Sequence, residues 1–332
     1  MTPAIKLLQI LDWDSPRQKA RLREELSTGL LRPQASIAPK FFYDALGSCL
    51  FEAITELPEY YPTRTEATIF NEYLPAIREA LGPDCTLIDL GCGSCAKAGK
   101  LFHAGLLPAR YIAVDISVDF LRDSLQNLKR ELPAIDMTGL GLDFTDELQL
   151  PDDLPLQKRM FFYPGSSIGN FSPPEARAFL KRLAGQMDAS GGLLIGVDLI
   201  KEKSLLDAAY DDALGVTAAF NRNLLRHVKT RLDADFAVKD WQHVAFFNEA
   251  DARIEMHLEA QRELDVSWPD GTARHIRHFA AGERIHTENS YKYSPAGFET
   301  LLREAGFADI RMWTDDRGWF ALFFARQGST RT

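Results

Sequence analysis

Asp89-Leu90-Gly91-Cys92-Gly93-Ser94 sits at the end of the short apolar run Thr86–Leu90 and opens the text of a helix. Glycines at 91 and 93 let backbone N–H groups approach a ligand closely, and the N-terminus of the helix that follows favours negative charge. Asp115 ends the next apolar run, 24 residues after Gly91, where a carboxylate can accept both hydroxyls of a ribose. Asp143-Phe144 ends the third run and offers an acceptor for an adenine amine and an aromatic ring for its face. Two further acids at successive strand ends on one sheet edge point to a ligand site rather than a bare strand–helix turn.

Outward from the loop, apolar runs of strand length recur at Tyr111–Asp115, Met137–Asp143, Met160–Tyr163 and Leu193–Asp198. Ser15-Pro16-Arg17-Gln18, Thr63-Arg64-Thr65-Glu66 and Ser172-Pro173-Pro174-Glu175 each fit a capping box, and two place Pro at the first helical position. They predict helices ending near Gly29, Gly82 and Gly185. Strands alternating with helices at this spacing predict a doubly wound parallel sheet, an α/β domain, over roughly 65–200. After Lys201 helical text runs to about Leu232. Ile254, Met256 and Leu258 then alternate with Arg253, Glu255 and His257, as in a half-buried antiparallel strand. A helix from Ser294-Pro295 to Gly306 precedes two strand-like runs, Ile310–Thr314 and Trp319–Ala325, joined by a turn of hairpin length.

The 332 residues carry 47 acidic and 38 basic side chains, a formal charge of −9 that argues against nucleic acid as a partner. No run of 18 apolar residues occurs, which predicts no membrane span. A single Lys precedes a short apolar stretch broken by Asp12 and Asp14, so no signal peptide is expected. Four cysteines in so long a chain suggest a reducing compartment, so the expected location is the cytoplasm. Four-ligand zinc spacing is absent, and Cys92 and Cys95 read as small residues filling the loop; no metal is expected. His275-x-x-His278 lacks a nearby third ligand and reads as surface. Asp211-Asp212 lies near a helix start, where carboxylates usually serve the helix dipole.

Gly91-x-Gly93-x-x-Ala96 with a downstream acid also fits a dinucleotide site, so a nicotinamide-dependent oxidoreductase is one rival. Asp89, two residues before the first glycine, and the antiparallel terminal hairpin favour S-adenosylmethionine (SAM) and a class I methyltransferase sheet; this rests on fold analogy. Gly165-Ser166-Ser167-Ile168-Gly169 matches the nucleophile elbow of α/β-hydrolases. There, however, the helix begins at the serine, whereas here the capping box starts it five residues later. A catalytically silent protein that binds SAM or an amino acid is the remaining alternative.

Read beside the glycine loop, Pro39–Ser48 (PKFFYDALGS), Leu57–Arg64 (LPEYYPTR), Gly165–Asn170 (GSSIGN), Ala209–Asp212 (AYDD), Gly215–Asn223 (GVTAAFNRN) and Thr287–Ser290 (TENS) carry a resemblance. The chain resembles the histidine-specific, SAM-dependent Nα-methyltransferases of ergothioneine biosynthesis from about Pro39 to the terminal hairpin. The resemblance implies a Rossmann-like class I methyltransferase core over 65–200 and 292–332, and a second α+β substrate-binding domain over 1–64 and 201–291. It implies a SAM site on Gly91, Lys97, Asp115, Asp143 and Phe144. Asn170 and Tyr210 would hold the amino-acid carboxylate, Tyr43 and Tyr60 would stand beside the amine in catalytic roles, and Glu288 and Ser290 would hold the imidazole, with Met256 also in the substrate site. The implied reaction is three successive methylations of the histidine α-amino nitrogen to trimethylhistidine (hercynine), by a monomer acting on a small molecule; another amino acid such as tryptophan is the alternative substrate. Residue type alone leaves the tyrosines as ordinary core residues and Asn170 as a cap for the helix near 173.

Overall fold

A computed structural model describes residues 5–9, 15–146 and 148–328; Asp12 and Asp14 lie outside them. The chain divides into two compact units, one of Met1–Leu11, Pro62–Ile200 and Tyr291–Thr332, the other of Asp12–Tyr61 and Lys201–Ser290.

In the first unit, strands β2 (Thr86–Leu90), β3 (Arg110–Asp115), β4 (Met137–Gly141), β5 (Arg159–Tyr163) and β6 (Gly192–Asp198) form a parallel sheet, within two residues of the runs read from sequence. With an edge strand β1 (Lys6–Gln9), the order is β1-β4-β3-β2-β5-β6-β13-β12, where β12 (Phe307–Thr314) and β13 (Phe320–Gln327) are the antiparallel terminal hairpin. The chain runs outward from β2 through β3 and β4, then crosses back to β5. The strand order therefore reverses between β2 and β5, the place where open α/β sheets bind ligands. Buried strands alternate between two cores: Leu87 faces helices α3 (Tyr61–Leu81), α4 (Ala96–His103) and α5 (Val118–Glu131), while Ile88 and Leu90 face α6 (Pro173–Ala184) and α9 (Pro295–Glu304).

The edge strand β1 (Lys6–Gln9) pairs in parallel with β4. The sequence reading assigned all of 1–64 to the other unit. Leu7 and Leu8 pack on opposite faces of this sheet, into its two cores, which explains why so short a strand joins it. Helix ends also differ from expectation. Helix α1 (Pro16–Leu31) passes through Gly29, where a Cβ would collide with the Ser36 carbonyl oxygen, so that glycine serves close packing rather than a cap. Ser172 and Glu175 do close a capping box, whereas Thr63 lies inside the first turn of α3 and leaves Glu66 for another purpose.

The second unit combines α1, α2 (Ala45–Thr55), α7 (Lys203–Tyr210) and α8 (Val216–Leu232) with a three-stranded sheet, order β11-β8-β7. Its strands are β7 (Trp241–Asn248), β8 (Arg253–Ala260) and β11 (Arg284–Tyr291). The expected half-buried strand is β8, but Ile254–Leu258 are all buried because β8 is central in its sheet. Glu255 and His257 bond each other at 3.1 Å, which offsets part of the cost of burial. His275 and His278 lie on the hairpin of β9 (Leu264–Asp270) and β10 (Ala273–Phe279), paired with Asp270 and Asp265.

Candidate active site

The glycine loop turns sharply because Gly91, Gly93 and Cys95 all take positive φ, at 69°, 51° and 59°. A Cβ on Gly91 would stand 3.8 Å from the Phe144 ring, so the loop passes directly beside that ring. Asp115 accepts the Gly93 and Ser117 backbone N–H groups at 3.0 and 2.9 Å, one on each oxygen. A carboxylate has about four lone-pair positions, so acceptors remain for a diol. Burial pushes the Asp115 pKa up, and the backbone bonds oppose that shift. Asp143 accepts the Thr145 backbone and hydroxyl at 3.1 and 2.5 Å, and Phe144 meets Tyr163 edge-on with centroids 5.7 Å apart. Below the loop, Asp89 accepts the Tyr111 hydroxyl at 2.8 Å, while burial pushes its pKa up to about 7. Lys97, on the first turn of α4, pairs with Glu66 at 2.5 Å. After β5, Ser166 takes a left-handed φ of 62° and its hydroxyl accepts the Asp198 N–H at 2.8 Å. Asn170 ends the short 3-10 turn Ser167–Asn170; the cap of α6 is Ser172, so capping does not account for Asn170.

In the second unit, rings gather from α2, α7, α8 and the turns before α2 and α3. Tyr43 and Phe51 have centroids 5.9 Å apart, Phe51 and Tyr60 6.3 Å, and Tyr60 and Tyr210 6.2 Å, with Phe220 6.0 Å from both Tyr43 and Phe51. Asp44 fixes Tyr43 in place by capping α2 through the Gly47 N–H at 2.7 Å and accepting Asn223 at 2.8 Å. Asp212 caps α8 through Val216 and Thr217 N–H groups at 2.9 and 2.7 Å, in keeping with the dipole role read from sequence. Tyr210 donates its hydroxyl to Ser290 at 2.9 Å, and its carbonyl receives His243 Nε2 at 2.9 Å. Asn221 Nδ2 donates to His243 Nδ1, which fixes the neutral Nε2–H tautomer; burial lowers this histidine's pKa and favours the same neutral form. Glu288 and Ser290 are both buried, two residues apart on β11, and the Thr287 hydroxyl between them and His286 donates to the Met256 carbonyl at 3.0 Å.

Comparison with known proteins names the chemistry. A family profile described as histidine-specific methyltransferase, SAM-dependent, matches residues 22–327. The chain belongs to this family. Among its relatives, a histidine N-alpha-methyltransferase of Mycolicibacterium smegmatis is 40% identical over 316 residues, covering 92% of this chain and 94% of the relative. The histidine N-alpha-methyltransferase of Mycobacterium tuberculosis is 40% identical over 311 residues, with 92% and 94% covered. The ergothioneine biosynthesis protein 1 of Neurospora crassa is 28% identical over 318 residues, a match to 35% of that longer protein.

The site of this SAM-dependent methyltransferase fits its co-substrate. The half-buried Asp115 carboxylate, with one backbone N–H on each oxygen, keeps acceptor positions for a ribose diol, and the half-buried Phe144 offers a ring for a base. No group of three or more His, Cys, Asp or Glu among the described residues could hold a metal, and no helix among them is long and apolar enough to cross a membrane. In the unit that carries the serine turn of the hydrolase rival, the one histidine is His103, exposed and paired with Glu131 at 3.3 Å. The structure brings Gly91, Lys97, Asp115, Asp143, Phe144 and Asn170 into the first unit, and Tyr43, Tyr60, Tyr210, Met256, Glu288 and Ser290 into the second. Sequence reasoning missed Glu66, misread as part of a capping box, and Phe220, quoted in a motif but given no role. A buried acid aimed away from its own helix start leaves no one-dimensional signal.

Proposed function

We propose that this methyltransferase transfers methyl groups to the α-amino nitrogen of L-histidine, three times in succession, to give the trimethyl betaine hercynine. The observation that carries the reading is the second unit's buried pair on β11, Glu288 and Ser290, joined by Tyr210, in a chain 40% identical to histidine N-alpha-methyltransferases. A neutral imidazole has one donor and one acceptor nitrogen. Glu288 takes the donor and Ser290 serves the acceptor. Asn170 holds the substrate carboxylate, Tyr210 acts through Ser290 rather than on the carboxylate that the resemblance implied for it, and Tyr43 and Tyr60 orient the amine.

S-adenosylmethionine, when bound, supplies an electrophilic methyl on its sulfonium; Gly91, Lys97, Asp115, Asp143 and Phe144 would hold it. The protein's remaining task is alignment, which can supply roughly 7–11 kcal/mol of such a barrier. The α-amino group is mostly protonated near pH 7 and its proton leaves to water, with tyrosine hydroxyls fixing the lone pair. As methyls replace hydrogens, the nitrogen loses donors and becomes a permanent cation. The contiguous rings of Tyr43, Phe51 and Tyr60 then contribute cation–π attraction of roughly 0.5–2 kcal/mol. The second unit acts as the substrate-binding domain, and the protein works as a cytoplasmic monomer; free cysteines at 49, 85, 92 and 95 suit a reducing compartment.

The test is incubation with S-adenosylmethionine and a mixture of the common amino acids, read by mass spectrometry. Histidine should gain up to three methyl groups. Methylation of another amino acid in preference, or of none, overturns the reading.

A further inference from the structure

Glu66 is buried to 1% exposure on α3, yet it belongs to none of the residues given a role above. Its two oxygens face different loops. Oε1 accepts the Gly165 N–H at 2.7 Å, at the start of the turn that ends in Asn170, and Oε2 pairs with Lys97 Nζ at 2.5 Å, just after the glycine loop. Those loops follow β5 and β2, the two strands between which the sheet order reverses. The carboxylate thus joins the loops that follow β2 and β5, and Lys97 keeps 37% of its side chain exposed. Gly196 on β6 makes the room: a Cβ there would collide with Glu66 Oε1 and stand 3.0 Å from the Gly165 nitrogen.

We infer that Glu66 is a positioning residue for methyl transfer, holding Lys97 for the cofactor's carboxylate and the 165–170 turn for the amino-acid substrate through one side chain. The inference rests on the proposed SAM site at Lys97. A lysine ammonium attracts negative charge most strongly, and the methionine carboxylate is the anion that S-adenosylmethionine carries. A flexible four-carbon stem loses aim unless its head is tethered. The ion pair with Glu66 fixes where the ammonium of Lys97 sits.

The experiment compares Glu66→Gln, Glu66→Leu, Lys97→Met, the Glu66→Gln/Lys97→Met double variant and Gly196→Ala in the full chain. Calorimetric SAM affinity, KM for histidine, kcat and melting temperature are measured for each. Glu66→Gln keeps an acceptor for Gly165 but sets an amide N–H against Lys97. It should weaken SAM binding about 10-fold while leaving KM for histidine close to wild type. Glu66→Leu and Gly196→Ala remove the Gly165 bond as well and should raise KM for histidine in addition. The double variant should bind SAM no more weakly than Lys97→Met, because Glu66 acts through that lysine. Additive losses in the double variant overturn the inference. So does unchanged SAM affinity in Glu66→Gln while Lys97→Met loses it. Unchanged SAM affinity in Lys97→Met would instead show that the cofactor site itself is misplaced, and the inference would fall with it. A lowered melting temperature with intact affinity and rates at a temperature where the variant is folded would reduce Glu66 to a structural bridge.

Discussion

The Tyr210 hydroxyl donates to the Ser290 hydroxyl at 2.9 Å inside the second unit. A phenol has one proton, and here it goes to Ser290, whose oxygen accepts it. Tyr210 then reads the ring through Ser290, and serving the carboxylate would require that proton to turn away. Tyr210→Phe and Ser290→Ala should each weaken histidine binding about 10-fold, and the double variant should lose no more than the weaker single one. Titration calorimetry with histidine checks this. Losses that multiply would assign Tyr210 to the carboxylate independently of Ser290.

In the proposed site Glu288 sets the preference for histidine. Leucine or phenylalanine would give its buried carboxylate no donor, lysine would supply one but nothing suited to Ser290, and tryptophan offers an N–H without an acceptor. Glu288→Ala should lower kcat/KM for histidine by at least about 10-fold, the low end for a charge-assisted hydrogen bond. Efficiency with tryptophan or phenylalanine should stay level or rise. Competition between mixed amino acids on wild type and variant measures both, and an unchanged histidine preference would remove Glu288 from the role.

Because Ser172 caps α6, Asn170→Ala should leave the melting temperature nearly unchanged. Histidine affinity should fall roughly 10- to 150-fold, and SAM affinity should not. A large stability loss with histidine binding intact would return Asn170 to a structural role. Ser167→Ala should retain substantial methyl transfer, since the Ser167 hydroxyl bonds Tyr163 and faces no histidine of the first unit.

Burial raises Asp89 from 3.8 to about 7, so the fold prefers its protonated form. The stability this contributes is present below pH 4 and is lost as pH rises through 7, at most about 4 kcal/mol for three pKa units. Asp89→Asn keeps an acceptor for Tyr111 without the ionisation. Without SAM, its melting temperature should gain on wild type as pH goes from 5 to 8. A difference that stays constant, or shrinks, over that range contradicts a buried ionisable Asp89.

The parallel strands were legible because each is a short apolar run bounded by turn residues. The capping box at Ser172 was legible because its signal lies within four consecutive residues. Glycines were less so: Gly29 looks like a helix stop in one dimension, and only the return of the chain at Ser36 shows that it serves close packing. The first strand was not legible either, since four residues carry no periodicity and Lys6–Gln9 becomes a strand only because β4 offers an open edge.

By itself the sequence determined the fold class, the glycine loop with its acids at successive strand ends, and the family, since each is written in local spacing or in contiguous motifs. Tertiary structure alone decided what Glu66 does, because its partners are 31 and 99 residues away and the glycine that makes room for it lies on a third segment. It likewise decided that Tyr210 serves Ser290, 80 residues distant, and that Asp89 is costly to ionise. A hydrogen bond and a desolvation penalty depend on which groups meet and how much water is excluded there, and both arise only once the chain has folded.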